Sequence, residues 1–494
     1  MNRALAAVPV DSRPAVRSQV QDLVACAGWE LRMPPVALLG HLRQPGDRDA
    51  LADWLLEQAR HVDGFVLSLD MLVYGGLVPS RFVADAPSAL QERLSLLHDL
   101  RRRWPAKPLF AFAATMRISN NDVAEEEKPY WSEFGSKLWA WSYHSDRGLN
   151  IALPEEAAHS QAEVRRLELQ IPQAIRADYA ATRWRNLQIT RLALEAVKDG
   201  VITRLVLPQD DSAEFGMNVA ERRQLQQLAQ ALGVGSRVAI YPGADEVMHT
   251  LSARLVSTLE QSSTLRVALW PDDPDGLGHL KARYEDRPLL HSIAAQLDAV
   301  GARQTHTLED ADVVLAVHTQ GIEQGDWAMG IDLPRRTGLK ADWLATLERA
   351  RERDQPLALA DMAYANGGDP WLFANGMPLP DAYAGWNTAS NTLGSVLSQC
   401  VLGHGRLQQA SARRALSLRL LEDLLYQADV RQLLRSRVVE AHCSTAQLLQ
   451  TAKDLMLPAS RRFAKAHGLS HCVADLSLPW DRSFEVDLNL EPLA

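Results

Sequence analysis

ITRLVLPQDDS, residues 202–212, is an apolar run of β-type residues that ends in polar and acidic side chains. Runs of this kind recur along the chain and alternate with helical segments, which is typical of parallel βα units. Eight are predicted as strands, at residues 4–10, 29–33, 64–69, 109–115, 202–207, 238–241, 357–360 and 382–385. Because each ends in polar residues, the sequence predicts a functional site at the carboxyl ends of the strands.

Eight such strands predict an α/β fold whose main domain resembles a (β/α)₈ barrel, the TIM-barrel architecture. The alternative is two or three doubly wound domains, which keeps the site at the same strand ends. Residues 265–270, 288–300 and 313–317 are predicted as strand, helix and strand, which indicates an inserted βαβ domain. The predicted division is 1–255 for the first part of the barrel with a helical excursion at 154–200, 256–335 for the insertion, 336–405 for the last barrel strands and 406–494 for a helical C-terminal region.

The composition excludes several classes of protein. Hydrophobic residues make up 47% of the 494 and charged residues 23%, so the chain can bury a core and is not disordered. A net charge of -9 without a basic stripe argues against nucleic acid as a partner. The longest uncharged stretch, residues 382–405, is too polar to cross a bilayer, so no membrane partner is expected. Four cysteines without a C-x-x-C pair indicate a reducing compartment, and we expect a cytoplasmic protein.

Adjacent carboxylates are the strongest chemical signal. Asp210 and Asp211 follow one predicted strand, and Asp245 follows the next in the sequence Gly-Ala-Asp-Glu. Two acids near one reacting centre do not ionise together easily, so one tends to hold a proton while the other is an anion, as in glycosidases. We therefore predict these three aspartates as catalytic. The alternative is structural, because acids and Asp N-caps are favoured at helix starts.

Arginine and asparagine side chains follow other predicted strands. The arginines either neutralise nearby acids or hold an anionic substituent of a ligand. Asparagine offers a donor and an acceptor to sugar hydroxyl and acetamido groups, and an indole suits the apolar face of a pyranose. Asparagine in such sequences also forms ordinary turns and helix caps. The residues predicted to bind substrate are Asp11, Arg13, Asp70, Arg81, Arg117, Asn120, Asp361, Asn366, Trp386, Asn387 and Asn391.

These residues predict a glycoside hydrolase that acts on a small carbohydrate substrate. A second function left open is a metal-dependent amide or ester hydrolase with Asp11, His249, His318 and Asp361 as ligands, although no H-E-x-x-H spacing supports a metal. A third is a non-catalytic protein that binds a sugar or carboxylate. No metal or cofactor is predicted, because metal spacing and Gly-rich phosphate loops are absent. The C-terminal region either covers the pocket or forms a homodimer interface.

Three motifs resemble a bacterial family known only as a domain of unknown function. They are residues 8–14 (VPVDSRP), 75–81 (GGLVPSR) and 385–388 (GWNT), and the resemblance spans most of the chain. It implies no settled activity.

A looser resemblance is to the retaining N-acetylglucosaminidases of the O-GlcNAcase and hyaluronidase-like group, carried by the Asp-Asp pair and the later strand ends with Asp and Asn. That resemblance implies a (β/α)₈ barrel in which the substrate's own 2-acetamido oxygen attacks the anomeric carbon. It further implies that Asp210 orients the acetamido group and Asp211 is the general acid/base. Asp361 and Asn387 would bind sugar hydroxyls. The position of the pair on the fifth strand and the inserted segment depart from the group.

Overall fold

The computed structural model describes residues 3–334 and 339–493. Its strands are β1 Ala4–Val8, β2 Glu30–Arg32, β3 Gly64–Ser68, β4 Leu109–Phe112, β5 Arg204–Gln209, β6 Val238–Pro242, β7 Arg266–Pro271, β8 Arg303–Thr305, β9 Val313–His318, β10 Gly325–Asp326, β11 Leu357–Asp361, β12 Tyr364–Ala365, β13 Ala382–Ala384, β14 His471–Ser477 and β15 Asp487–Pro492. All eight strands predicted from the sequence are present, as are the two strands and the helix predicted for residues 256–335.

The helices are α1 Ser18–Cys26, α2 Arg48–Gln58, α3 Leu69–Tyr74, α4 Pro87–Arg93, α5 Ser95–Arg103, α6 Trp131–Asn150, α7 Pro154–Gln170, α8 Gln173–Lys198, α9 Met217–Ala231, α10 Val247–Glu260, α11 Pro274–Leu277, α12 Leu289–Val300, α13 Ala341–Glu352, α14 Pro370–Ala374, α15 Ala389–Leu402, α16 Ala410–Arg419, α17 Arg431–Arg437 and α18 Thr445–His467. A π-helical segment, Leu420–Val430, joins α16 to α17. Short 3₁₀ turns lie at Pro14–Val16, Val36–Leu38, Pro79–Arg81, Gly235–Arg237 and Glu440–His442. Helices α7 and α8 confirm the predicted helical excursion, with Pro172 between them.

Two parallel sheets organise the chain. The first has six strands in the order β2-β1-β3-β4-β5-β6, and the second has five in the order β13-β11-β9-β7-β8. Both orders are doubly wound, with the strand order reversing beside β1 in the first sheet and beside β7 in the second. The fold is therefore mixed α/β with parallel sheets, and the predicted closed barrel is not shown. A barrel and a pair of doubly wound sheets are both built from alternating strands and helices. They differ only in which distant strands pair, so the local sequence pattern is the same for both.

The predicted insertion and the predicted last barrel strands share one sheet. Strand β9 pairs with β7 on one side and with β11 on the other, and β11 pairs with β13. Continuous hydrogen bonding therefore joins residues on both sides of the boundary predicted at 335/336.

One hydrophobic core lies between the two sheets. Side chains of Val66 and Val206 from the first sheet and Val267 and Leu315 from the second belong to it, together with helices α10, α12 and α15. Alternate residues of the same strands, such as Leu67 and Leu205, face a second core on the other side of the first sheet. The outer face of the second sheet is covered by a third core built from the C-terminal region. Helices shared between the sheets thus fix their carboxyl edges relative to each other.

The C-terminal region is helical only to residue 467. After α18 the chain forms an antiparallel hairpin of β14 and β15, so the prediction of a helical region over 406–494 is wrong for its last part. The alternating burial of the hairpin against the third core explains the difference, since strands need only a two-residue period. Of the helices that the structure describes, none is both long and apolar enough to cross a membrane.

Candidate functional site

A cavity of about 680 Å³ lies where the carboxyl edges of the two sheets meet. Its wall carries residues that follow β1, β4, β5 and β6 of the first sheet and β13 of the second, including Arg13, Asp210, Asp245 and Asn387. Asn366, also on the wall, follows β12, which pairs with β10 in a separate two-stranded sheet. A recess of about 30 Å³ shares Arg13, Asp245 and Asn387 with the cavity, and Trp386 is on the wall of this recess. The volume of the cavity is in the range of ligand sites in proteins.

Asp210 and Asp211 stand on this wall, at the end of β5. Their side chains are 15% and 25% exposed, so both reach the cavity. Burial and then the Asp211 carboxylate raise the pKa of Asp210 to about 7, against the opposing effect of Arg117 and Arg81. Burial also raises the pKa of Asp211. The pair can therefore hold one proton near neutral pH. Neither aspartate caps the next helix, because α9 has Gly216 as its N-cap and no side-chain cap.

Two arginines hold the pair from behind. Arg81 is 2% exposed and donates from Nη2 to Asp210 Oδ2 at 3.1 Å. Arg117 Nη1 lies 3.5 Å from Asp211 Oδ2. Both guanidinium groups also bind Glu127 Oε1, at 3.1 and 2.9 Å. Arg117 lines the cavity and Arg81 lies behind the pair, and their ion pairs fix the position of the two carboxylates. Binding of substrate by these arginines stays a prediction.

Arg13 links the ends of β1 and β6 of the first sheet at the cavity. Its Nη2 donates to Asp11 Oδ2 at 2.7 Å and to Asp245 Oδ1 at 2.6 Å. Asn387, which follows β13 of the second sheet, donates to Asp245 Oδ2 at 3.0 Å. Asn391 Oδ1 accepts from the Asp245 backbone N–H at 3.3 Å. Asp245 is therefore held on the wall by groups from both sheets.

Four wall residues adopt the left-handed backbone region that favours glycine. Their φ angles are 35° for Asp211, 67° for Tyr284, 61° for Asn366 and 53° for Asn387. Asn and Asp tolerate this region, but it is unfavourable for an aromatic residue. Such residues cluster at functional sites, where surrounding contacts stabilise the strained conformation. Asp326 supplies these contacts for two of the four, because its Oδ2 accepts from Tyr284 Oη at 2.5 Å and its Oδ1 accepts from Asn366 at 3.0 Å.

The loop of the C-terminal hairpin, residues 480–485, forms another wall of the cavity. The predicted site residues do not include it. The Trp480 ring lies 4.9 Å from the Arg13 guanidinium carbon and 5.2 Å from that of Arg482. Arg482 pairs with Glu485 at 2.7 Å and with Glu126 at 2.6 Å. The available signal was the sequence Pro-Trp-Asp-Arg between two short apolar runs, which is typical of a hairpin loop. The C-terminal region therefore covers the pocket, and the homodimer stays a prediction.

Six predicted substrate-binding residues line neither the cavity nor its recess, and one of them is Arg81, which lies behind Asp210. Asp11 is 6% exposed behind Arg13. Asp70 accepts from the Ala114 backbone N–H at 2.9 Å, and burial raises its pKa to about 7. Asp361 is fully buried and accepts from Tyr383 Oη at 3.0 Å. Asn391 is 2% exposed within α15, and Asn120 is exposed. The buried positions fit structural roles, because a side chain that follows a strand can also point into the core.

The residues of the predicted metal alternative have separate partners. His249 Nε2 contacts the Ala15 carbonyl oxygen at 2.7 Å, and burial lowers its pKa to about 4. His318 lies between Asp272 and Asp369, at 2.7 and 3.1 Å. Over residues 3–334 and 339–493, no group of three or more His, Cys, Asp or Glu side chains is arranged to hold a metal ion.

Glu246, next to Asp245, is fully buried beneath the site. Its Oε1 accepts from Gln296 Nε2 at 2.8 Å, whereas its Oε2 has no hydrogen-bond partner among residues 3–334 and 339–493. Burial raises the pKa of Glu246 to about 8, although the Gln296 hydrogen bond opposes the shift. The folded state therefore binds more protons than the unfolded chain between the ordinary glutamate pKa and 8, and the free energy of unfolding falls as the pH rises through this window.

Between pH 6 and pH 8 the free energy of unfolding is expected to fall by about 2 kcal/mol less in Glu246→Gln than in the wild type, because an amide does not ionise. Urea unfolding at both pH values measures this difference. Glu92→Gln, at an exposed position of α4, is the control and should retain the wild-type pH dependence. An unchanged pH dependence in Glu246→Gln would show that this carboxyl does not titrate in the window.

Comparison with known proteins identifies a family. The chain belongs to the family described as "Protein of unknown function (DUF4127)", whose model matches residues 5–489. The match covers both sheets and the C-terminal hairpin loop, so the entire cavity wall lies within it. No curated protein matches the sequence.

Proposed function

We propose that the protein is a glycoside hydrolase that acts on a 2-acetamido sugar in the cavity between the sheets. The observation that carries this proposal is the pair Asp210 and Asp211, two adjacent carboxyl groups with raised pKa values on the wall of a ligand-sized cavity. A carboxylic acid that keeps its proton near neutral pH can protonate a leaving glycosidic oxygen.

The rest of the wall supplies groups that suit a sugar. Asn366 and Asn387 present amides, Trp480 presents an aromatic ring and Tyr284 a phenol. Amides bind hydroxyl groups, and aromatic faces pack against the apolar face of a pyranose. Backbone strain at three of these residues shows that the fold holds them in a set position.

The roles within the pair follow from the resemblance to retaining N-acetylglucosaminidases. Asp210, fixed by Arg81, accepts a hydrogen bond from the acetamido N–H and orients its carbonyl oxygen. That oxygen forms a bond to the anomeric carbon while Asp211 gives its proton to the departing oxygen. Asp211 then takes a proton from the water that opens the cyclic intermediate, which restores the acid.

A chromogenic assay tests the proposal. We expect the purified protein to release nitrophenol from an α- or β-linked 4-nitrophenyl 2-acetamido-2-deoxyglycoside, and to leave the matching plain glycosides intact. The Asp210→Asn/Asp211→Asn variant is the control and should be inactive. If the wild type and the double variant show equal activity on every amino-sugar substrate, the glycosidase proposal is wrong.

A further inference from the structure

Most arginines on the cavity wall are neutralised by carboxylates. Arg13 pairs with Asp245 at 2.6 Å, Arg117 with Glu126 at 3.0 Å, and Arg482 with Glu485 at 2.7 Å. These guanidinium groups have their charge partners within the protein. They are therefore not available as the main counter-charge of a ligand.

Arg431 and Arg435 are different. They lie one turn apart on α17 and both line the cavity, yet neither forms an ion pair with a carboxylate in the part of the chain that the structure describes. Arg431 makes one hydrogen bond there, from Nη1 to Gln427 Oε1 at 3.2 Å. Arg435 Nη1 donates to the backbone oxygens of residues 327 and 328, at 3.2 and 3.0 Å.

Burial makes the missing partner of Arg431 costly. The residue is 6% exposed, its Nε has no hydrogen-bond partner among the described residues, and its guanidinium carbon lies 4.6 Å from the Phe484 ring centroid. Burial lowers its pKa and the Arg435 charge acts in the same direction, whereas Tyr426, Glu440 and Glu485 oppose the shift. A buried, unpaired charge beside a like charge is unfavourable unless an anion compensates it.

The carboxylates close to this pair are occupied. Glu440 accepts hydrogen bonds from the backbone N–H and the hydroxyl of Ser483. Glu485 is bound by Arg482 through both oxygens. Two guanidinium groups therefore lie on the cavity wall, in contact with an aromatic ring and with backbone oxygens. Neither pairs with a carboxylate of the described residues.

We propose that Arg431 and Arg435 form a subsite for an oxyanion of the substrate, a carboxylate or a phosphate carried by a sugar. The substrate is then an acidic glycoside. That it is a sugar rests on the proposed function, whereas that it carries an anion does not. Guanidinium groups bind both oxyanions through paired N–H donors. Asp210 and Asp211 follow β5 of the first sheet, whereas Arg431 and Arg435 belong to α17 of the C-terminal region, so different elements supply the carboxyl pair and the proposed anion subsite.

Isothermal titration calorimetry at low ionic strength tests this subsite without requiring turnover. The probes are N-acetylglucosamine and its 6-phosphate, and glucose and glucuronic acid. We expect at least one acidic sugar to bind about tenfold or more tightly than its neutral counterpart, and added salt to weaken that binding. Arg435→Gln, at an exposed side chain that should not affect folding, is expected to remove most of the preference, and Arg431→Lys to reduce it.

Arg437→Gln is the matched control, because it removes the same charge from the same helix at an exposed position outside the cavity wall. It should bind all four sugars as the wild type does. Equal affinity of acidic and neutral sugars, no binding of any of them, or the same loss in Arg435→Gln and Arg437→Gln would overturn the subsite. A preserved preference for acidic sugars without glycosidase activity would overturn the proposed hydrolase alone, whereas hydrolysis without a charge preference would overturn only the subsite.

Discussion

Asp211→Asn is expected to lower kcat on glycosides with poor leaving groups by about 10²–10⁴-fold while sparing most of the activity on activated aryl glycosides. An alkoxide cannot leave without a proton, whereas a nitrophenolate can, so only the first class depends on the acid. Steady-state kinetics on a series of leaving groups measures the difference. A steeper dependence of rate on leaving-group pKa in the variant than in the wild type is the expected signature.

Asp210→Asn serves as the comparison, since a residue that orients the acetamido group is needed for both substrate classes. It should lower kcat on activated and unactivated glycosides alike. If the two variants exchange these behaviours, Asp210 is the acid and the assignment within the pair is reversed. Efficient hydrolysis of a plain glucoside would reject the acetamido group as the nucleophile.

Arg13→Ala is expected to lower the free energy of unfolding by about 3–5 kcal/mol. The substitution leaves Asp11 and Asp245, each 6% exposed, without the guanidinium that binds both of them. Because Asp245 also bonds to Asn387 of the second sheet, the loss weakens the contact between the sheets at the cavity. Urea unfolding at pH 7 measures the change.

Arg166→Ala provides the control for removing an arginine from an ion pair. Arg166 is paired with Glu163 at 2.7 Å, but its side chain is 53% exposed and solvent screens the pair, so the free energy of unfolding is expected to change little. A midpoint of unfolding for Arg13→Ala at the same urea concentration as for the wild type would contradict a stabilising role. It would leave Arg13 as a ligand-binding residue whose removal affects only KM.

Local sequence pattern predicted much of the fold. Strand β5 and its polar end were evident from residues 202–212, since apolar β-type runs and polar stops depend on near neighbours. The same reasoning brought Asp210, Asp211 and Asp245 to one cavity. The local sequence does not determine whether a side chain at a strand end faces solvent or the core. Asp70 and Asp361 are therefore predicted in the site, although both are buried.

The division into two sheets depends on contacts between distant residues. Nothing within 313–318 shows that this strand pairs with 357–361 rather than forming a small separate domain. The wall formed by residues 480–485 was missed for the same reason, because it packs on Arg13 from the other end of the chain. The unpaired state of Arg431 likewise becomes evident only when its neighbours are known.

The contact between Ser12 and Trp480 spans 468 positions of the chain, from Trp480 Nε1 to Ser12 Oγ at 3.3 Å. During synthesis the N-terminal strands leave the ribosome first and can begin to fold before the hairpin exists. The cavity then lacks a wall until residues 480–485 emerge. Completion of the cavity therefore follows the synthesis of both sheets, and a ribosome that stalls between residues 405 and 480 yields sheets without this wall.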